Sequence, residues 1–205
     1  LEFGNAHMHL DLKPQKTLAH LASLDPAQLD DASFAPLLTQ DRSGVQLVLG
    51  ANAPEDAELV TVPLVQHGID RLRAAADYVV VDTPSTFSQQ VLAALDASDG
   101  IALVAEPHLA SLEATKDWIG VLEKLSYPRE RVLVVLNRTT QSGLETDQVT
   151  RFFNRRPDVV VPFTPVFDEA ADRGRPLVVL RPENAAAKVM RDLAAQLTVL
   201  APAGR

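Results

Sequence analysis

The chain has 205 residues, 46% of them hydrophobic and 22% charged, with 9 glycines, 14 prolines and no cysteine. Such a composition belongs to a globular chain of about one domain; it excludes a disordered or fibrous protein, a disulfide framework, a zinc–thiolate centre and a cysteine nucleophile. Nineteen Lys and Arg against 27 Asp and Glu leave a net charge of −8, which argues against a nucleic-acid partner, and no apolar run is long enough to form a transmembrane segment.

The chain opens on Leu1 rather than Met, which points to an internal start. Residues 11–42 carry scattered Asp, Leu and Pro (Asp25-Pro26, Asp30-Asp31, Pro36) and predict short helices and loops, not sheet. Val45–Leu49 reads as a strand ending at Gly50. Leu64-Val65, Ile69 and Leu72 have helical spacing. Tyr78–Val81 is a continuous apolar run closed by Asp82 and then Thr83-Pro84. A helix through Val91-Leu92 and Leu95 leads to a strand at Ile101–Ala105, closed by Glu106-Pro107. Leu112, Trp118-Ile119, Leu122 and Leu125 predict the next helix, with Ser111 as its cap. Val132–Leu136 is a strand closed by Asn137-Arg138, and Val159–Phe163 is another. The last helix starts at an Asn184 cap, runs through Val189, Leu193, Leu197 and Leu200, and ends at Pro202-Ala203-Gly204. Apolar runs without polar alternation predict strands buried on both faces. The pattern predicts an α/β fold: a doubly wound, mostly parallel sheet flanked by helices.

In open α/β sheets ligands bind beyond the carboxyl ends of the strands, so the residues there carry the chemistry. Asp82 has the Walker B arrangement: a buried strand delivers one carboxylate that can hold magnesium directly or through water. Taken alone the pattern is weak, since an acid that ends a buried strand is more often a turn or helix-cap residue. Asn137 offers a donor and an acceptor together, which suits the adenine edge; a loop Asn bonding its own backbone is the alternative. Neither G-x-x-x-x-G-K-[ST] nor G-x-G-x-x-G occurs, and at Lys16-Thr17 the residues Leu10 and Gln15 stand where the glycines belong. These residues therefore contain no phosphate cradle. His7, His9 and Asp11 could share a face and ligate a metal if extended. Ser85 lacks a nucleophile elbow, and Glu106 beside Pro107 suits a loop role.

Taken in order, Leu1–Asn5, Pro54–Val60, Asp77–Pro84, Tyr127–Arg138 and Asp172–Leu177 resemble the deviant-Walker ATPases of the ParA/MinD type. The Tyr127–Arg138 and Pro54–Val60 blocks resemble most closely the CpaE/TadZ branch of Flp/Tad pilus assembly. The resemblance implies a SIMIBI-like P-loop NTPase fold over 1–205 as a single incomplete domain, truncated at its N-terminus and lacking the first β–P-loop–α unit. It implies Asp82 as the catalytic Walker B acid and the magnesium residue, Thr83 and Pro84 at the switch loop, Asn137 with Arg138 at the adenine, and Pro165 and Asp168 on the loop over the base. It further implies ATP and Mg in the intact protein with none bound by this fragment. The partners implied are a second copy in the ATP state and pilus or secretion-system proteins, and the location a cytoplasmic one with recruitment to the cell pole or inner-membrane complex. Two other functions fit the same residues: a degenerate, non-hydrolysing scaffold of this fold, and a DNA-partition or septum-placement ATPase.

Overall fold

A computed structural model describes residues 4–24 and 28–201 of the chain. Leu1–Phe3 of the first resembling segment, Asp25-Pro26, and the Pro202–Gly204 stop lie outside the described residues. The chain divides into two compact units. One comprises residues up to Ser98 with Glu169–Pro176; the other comprises Asp99–Asp168 and the chain from Leu177.

The first unit is mostly helical. A 3-10 turn at Leu18–Leu21 follows Thr17, which is fully buried. α1 (Asp31–Phe34) is capped by Asp30, whose side chain accepts from Ser33 N–H. That bond, made first by the Ser33 backbone, holds the Asp30 carboxyl below the ordinary aspartate range. The expectation of no sheet before residue 42 fails at β1 (Thr39–Gln40), which pairs antiparallel with β2 (Gln46–Leu47). The turn between them explains the pairing. Asp41 Oδ1 accepts from Ser43 N–H, the Ser43 hydroxyl and Val45 N–H, and Gly44 takes the left-handed conformation at φ +95°. The expected strand Val45–Leu49 is cut to two residues because Leu49 and Gly50 turn their carbonyls to the amides of Leu18 and Ala19. α2 (Pro54–Ala57), α3 (Val62–Ala75) and α4 (Gln89–Asp96) follow, α4 capped by Ser88. Leu18, Phe34, Leu37, Leu64, Val65 and Ile69 form the core.

Tyr78–Asp82 is the second departure. It has no ladder partner among the described residues. Burial alternates along it: Val79 and Val81 are half-buried, whereas Tyr78 is 48% and Val80 90% exposed. Only one face is packed, so the expectation of a strand buried on both faces does not hold here.

The second unit is a three-stranded parallel sheet in the order β3 (Ile101–Ala105), β4 (Val132–Asn137), β5 (Val159–Val161). Ile101 pairs with Val132 and Val135 with Val159. Parallel neighbours need crossovers. α5 (Leu109–Lys124) supplies the first, and α6 (Thr146–Phe153) the second. Central β4 buries Val134, Val135 and Leu136 in succession, as a strand covered on both faces must. Edge strand β3 does not, and Val104 is 60% exposed. α7 (Val166–Asp172), α8 (Leu177–Leu180) and α9 (Ala185–Leu200) complete the chain. Ser111 does not cap α5. The helix begins two residues earlier, and the Ser111 hydroxyl accepts from Glu106 N–H. The α/β class stands; of the expected doubly wound, mostly parallel sheet, the described residues show these three parallel strands.

One bracket stabilises β4 where β5 has not yet begun. The Asp158 carboxylate accepts Val134 N–H at 2.7 Å and Arg155 Nη2 at 2.6 Å, and Arg155 Nη2 also donates to Val132 O at 2.7 Å. The two side chains make the bonds that two more strand residues would have made.

Candidate functional site

The first unit holds Asp82, Thr83 and Pro84. Asp82 and Thr83 are exposed at the end of the extended segment. Gly4 lies against the acid: a Cβ built on it would come 3.8 Å from Asp82 Oδ2. Beside them a cavity of about 110 Å³ runs between Leu18, Phe34, Val65, Ile69 and Val81. Its walls are mostly apolar, with Asp82 also in the lining, and it is well below the ~300–1,000 Å³ of a small-molecule site.

The second unit holds Asn137, Arg138, Pro165 and Asp168. Asn137 ends β4 opposite Val161, and Arg138 N–H donates to Val161 O at 3.0 Å, so both are set by the sheet ladder. Pro165 precedes α7 and Asp168 lies in its first turn. Arg138 does not extend into solvent. Its side chain is 15% exposed and its Nη2 donates to Leu144 O at 3.1 Å and Glu145 Oε2 at 3.3 Å.

The other candidates resolve into structural roles. His7–Asp11 is a tight turn, not an extended strand; Asp11 is left-handed at φ +52°. The shared face that metal ligation required is lost, and no group of three His, Cys, Asp or Glu able to hold a metal exists among the described residues. The Thr17 hydroxyl lies 2.9 Å from His20 Nδ1, which accepts Thr17 N–H at 3.1 Å, so Lys16-Thr17 begins a capped turn. Glu106 and Ser85 are exposed.

A magnesium nucleotide makes three demands. Magnesium keeps several waters and takes one or two carboxylates, so Asp82 fits it. The base needs a paired donor and acceptor, which Asn137 has. The phosphates need a cradle of backbone amides, and the residues present do not fit that part.

No protein-family model matches the chain. Against solved structures, a ParA family ATPase from Chlorobium tepidum superposes with TM-score 0.82 at 20% identity, over 95% of this chain and 81% of that one. The MinD cell division ATPase of Pyrococcus furiosus gives 0.79 at 23%, over 98% and 83%. The septum site-determining protein MinD of Pyrococcus horikoshii, complexed with Mg-ADP, gives 0.79 at 21%, over 98% and 81%. The fold is that of the ParA and MinD ATPases. In sequence, the sporulation initiation inhibitor Soj of Bacillus subtilis is 22% identical over 95% of this chain and 87% of its own length. An uncharacterised ATP-binding protein of Methanocaldococcus jannaschii is 28% identical over 62% of this chain, and the match spans 49% of that protein.

These likenesses correct the narrower expectation. They stand at the ParA/MinD level, with a sporulation inhibitor and cell-division ATPases among them, and not in the CpaE/TadZ pilus branch. They run over nearly the whole chain, and give no support to a chain cut short of its phosphate loop. Local physics accounts for the two blocks that carried the pilus expectation. Pro54–Ala57 is a helical turn with Glu55 and Asp56 at its start, where a helix N-terminus favours acids. Val132–Leu136 is apolar because β4 is buried. Pilus and secretion partners find no support in these likenesses.

What sequence reasoning missed is chiefly the loop after Asn137. Gly143 takes φ +112°, and a Cβ there would lie 2.7 Å from Pro107 O. Ser142-Gly143 announces a turn, but nothing in the sequence says what it packs on.

Proposed function

We propose that this chain is an ATP-dependent switch of the DNA-partition and septum-placement class. The carrying observation is the ParA/MinD fold with an acid, Asp82, at the end of one extended segment and Asn137 at the end of β4. In this reading Asp82 holds magnesium through water, Thr83 and Pro84 begin the segment that responds to the γ-phosphate, Asn137 takes the adenine, and Pro165 and Asp168 border the base. Bound magnesium supplies charge neutralisation at the phosphates; Asp82 orients its water shell. The whole forms one ATPase domain that pairs with a second copy when ATP is bound.

The charge is unevenly shared between the two units. The whole surplus of −8 falls in the first unit, and the second carries equal numbers of cationic and anionic side chains. A net charge averaged over both units therefore says little about the second one's partners. Among the described residues no helix is long and apolar enough to cross a membrane.

The test is sedimentation and turnover of the protein as its gene encodes it. Mg-ATP should produce a dimer, Mg-ADP should not, and Asp82→Asn should abolish hydrolysis. A protein that stays monomeric with Mg-ATP and releases no phosphate would overturn the proposal, and would favour the non-hydrolysing scaffold.

A further inference from the structure

The loop 139–145 is held at two points, both within the second unit. On one side Arg138 Nη2 donates to Leu144 O and Glu145 Oε2, its side chain far more shielded than that of Glu145 (15% against 76% exposed). On the other, Gly143 rests on Pro107, a fully buried residue whose carbonyl also accepts Leu144 N–H at 2.8 Å. The carboxyl ends of β3 and β4 are thus tied to each other through this loop. Asn137 is the last strand residue before it.

We infer that Arg138 is a positioning residue: it clamps loop 139–145 and so fixes the amide of Asn137 for adenine over guanine. The inference rests on the nucleotide reading above. An Asn amide carries its donor and acceptor at fixed places, and adenine and guanine present opposite polarity at the edge they would offer it. Discrimination therefore needs an amide that cannot turn over or shift. A shielded guanidinium with two acceptors, one of them charged, holds its loop better than a neutral bond would. Lysine can reach one of those acceptors, but its flexible, strongly hydrated ammonium replaces a rigid guanidinium whose Nη2 serves both.

The experiment uses the protein as its gene encodes it. Hydrogen exchange without nucleotide reads the loop, and competition between Mg-ATP and Mg-GTP reads the base. Arg138→Ala should raise exchange at Leu144 and Glu145 about tenfold and lower the ATP-over-GTP preference about tenfold. Arg138→Lys should recover part of both. Should Arg138→Ala fail to fold, Gly143→Ala, which forces the loop off Pro107, must produce the same two changes. Unchanged loop exchange overturns the clamp. Equal weakening of ATP and GTP also overturns it, since that marks a direct phosphate contact. A wild type that prefers ATP while the variants keep that preference sinks this inference alone. A wild type that binds neither nucleotide removes the nucleotide reading, and the base-reading role of Arg138 with it.

Discussion

Asp158 does more for the fold than its place after a Pro suggests. Its carboxylate satisfies both Val134 N–H and Arg155, in a site where the two side chains are 29% and 17% exposed. Asp158→Ala leaves a strand amide and a guanidinium short of a partner, and should cost about 1–3 kcal/mol in chemical denaturation. Gly120 offers the opposite case. It sits inside α5 with nothing within 4 Å of where a Cβ would go. Gly120→Ala should therefore stabilise the protein by about 0.5–1 kcal/mol, read as a shift in denaturation midpoint at unchanged slope. At this scale the sequence was informative about residue type and uninformative about partners. Asn137 and Asp82 stand out because an unlike residue closes an apolar run. Arg138 gave no such signal, because its partners, Leu144 and Glu145, are defined by how the loop folds back.

Helices were the most legible elements. Spacing locates α3, α4, α5 and α9, and Asn184 caps α9 as its position suggested, its Oδ1 accepting Ala186 N–H at 2.9 Å. Asn184 also donates to the Thr164 hydroxyl at 3.3 Å. Asn184→Ala should lower stability by about 1 kcal/mol through the cap, and circular dichroism should show the loss as a lower melting temperature without a change of fold. Strands were less legible, for a physical reason. Periodicity reports what a side chain prefers, whereas a strand exists only if a neighbour accepts its backbone bonds. Ile101–Ala105 and Val132–Leu136 have each other. Val45–Leu49 loses its end to Leu18 and Ala19, and Tyr78–Val81 has no ladder at all among the described residues.

For the whole molecule, those unladdered stretches matter more than net charge. Tyr78–Val81 and the outer side of β3 both present β-branched side chains on backbone that no described strand covers, with Val80 90% and Val104 60% exposed. Uncovered apolar edges are templates for pairing with other chains. The 205-residue chain on its own should aggregate on heating, and Val80→Lys or Val104→Lys should delay this in light scattering. A sharp, reversible melt of an unmodified monomer would contradict it. The acidic surplus, confined to the first unit, does nothing to protect β3 in the second. The Arg155–Asp158 bracket has a different consequence, one of timing. It joins residues only 23 and 24 apart in sequence, so closing it costs little chain entropy. During synthesis β4, α6 and the start of β5 can therefore settle against one another as soon as they have emerged, giving the growing chain a folded piece before α9 has been made.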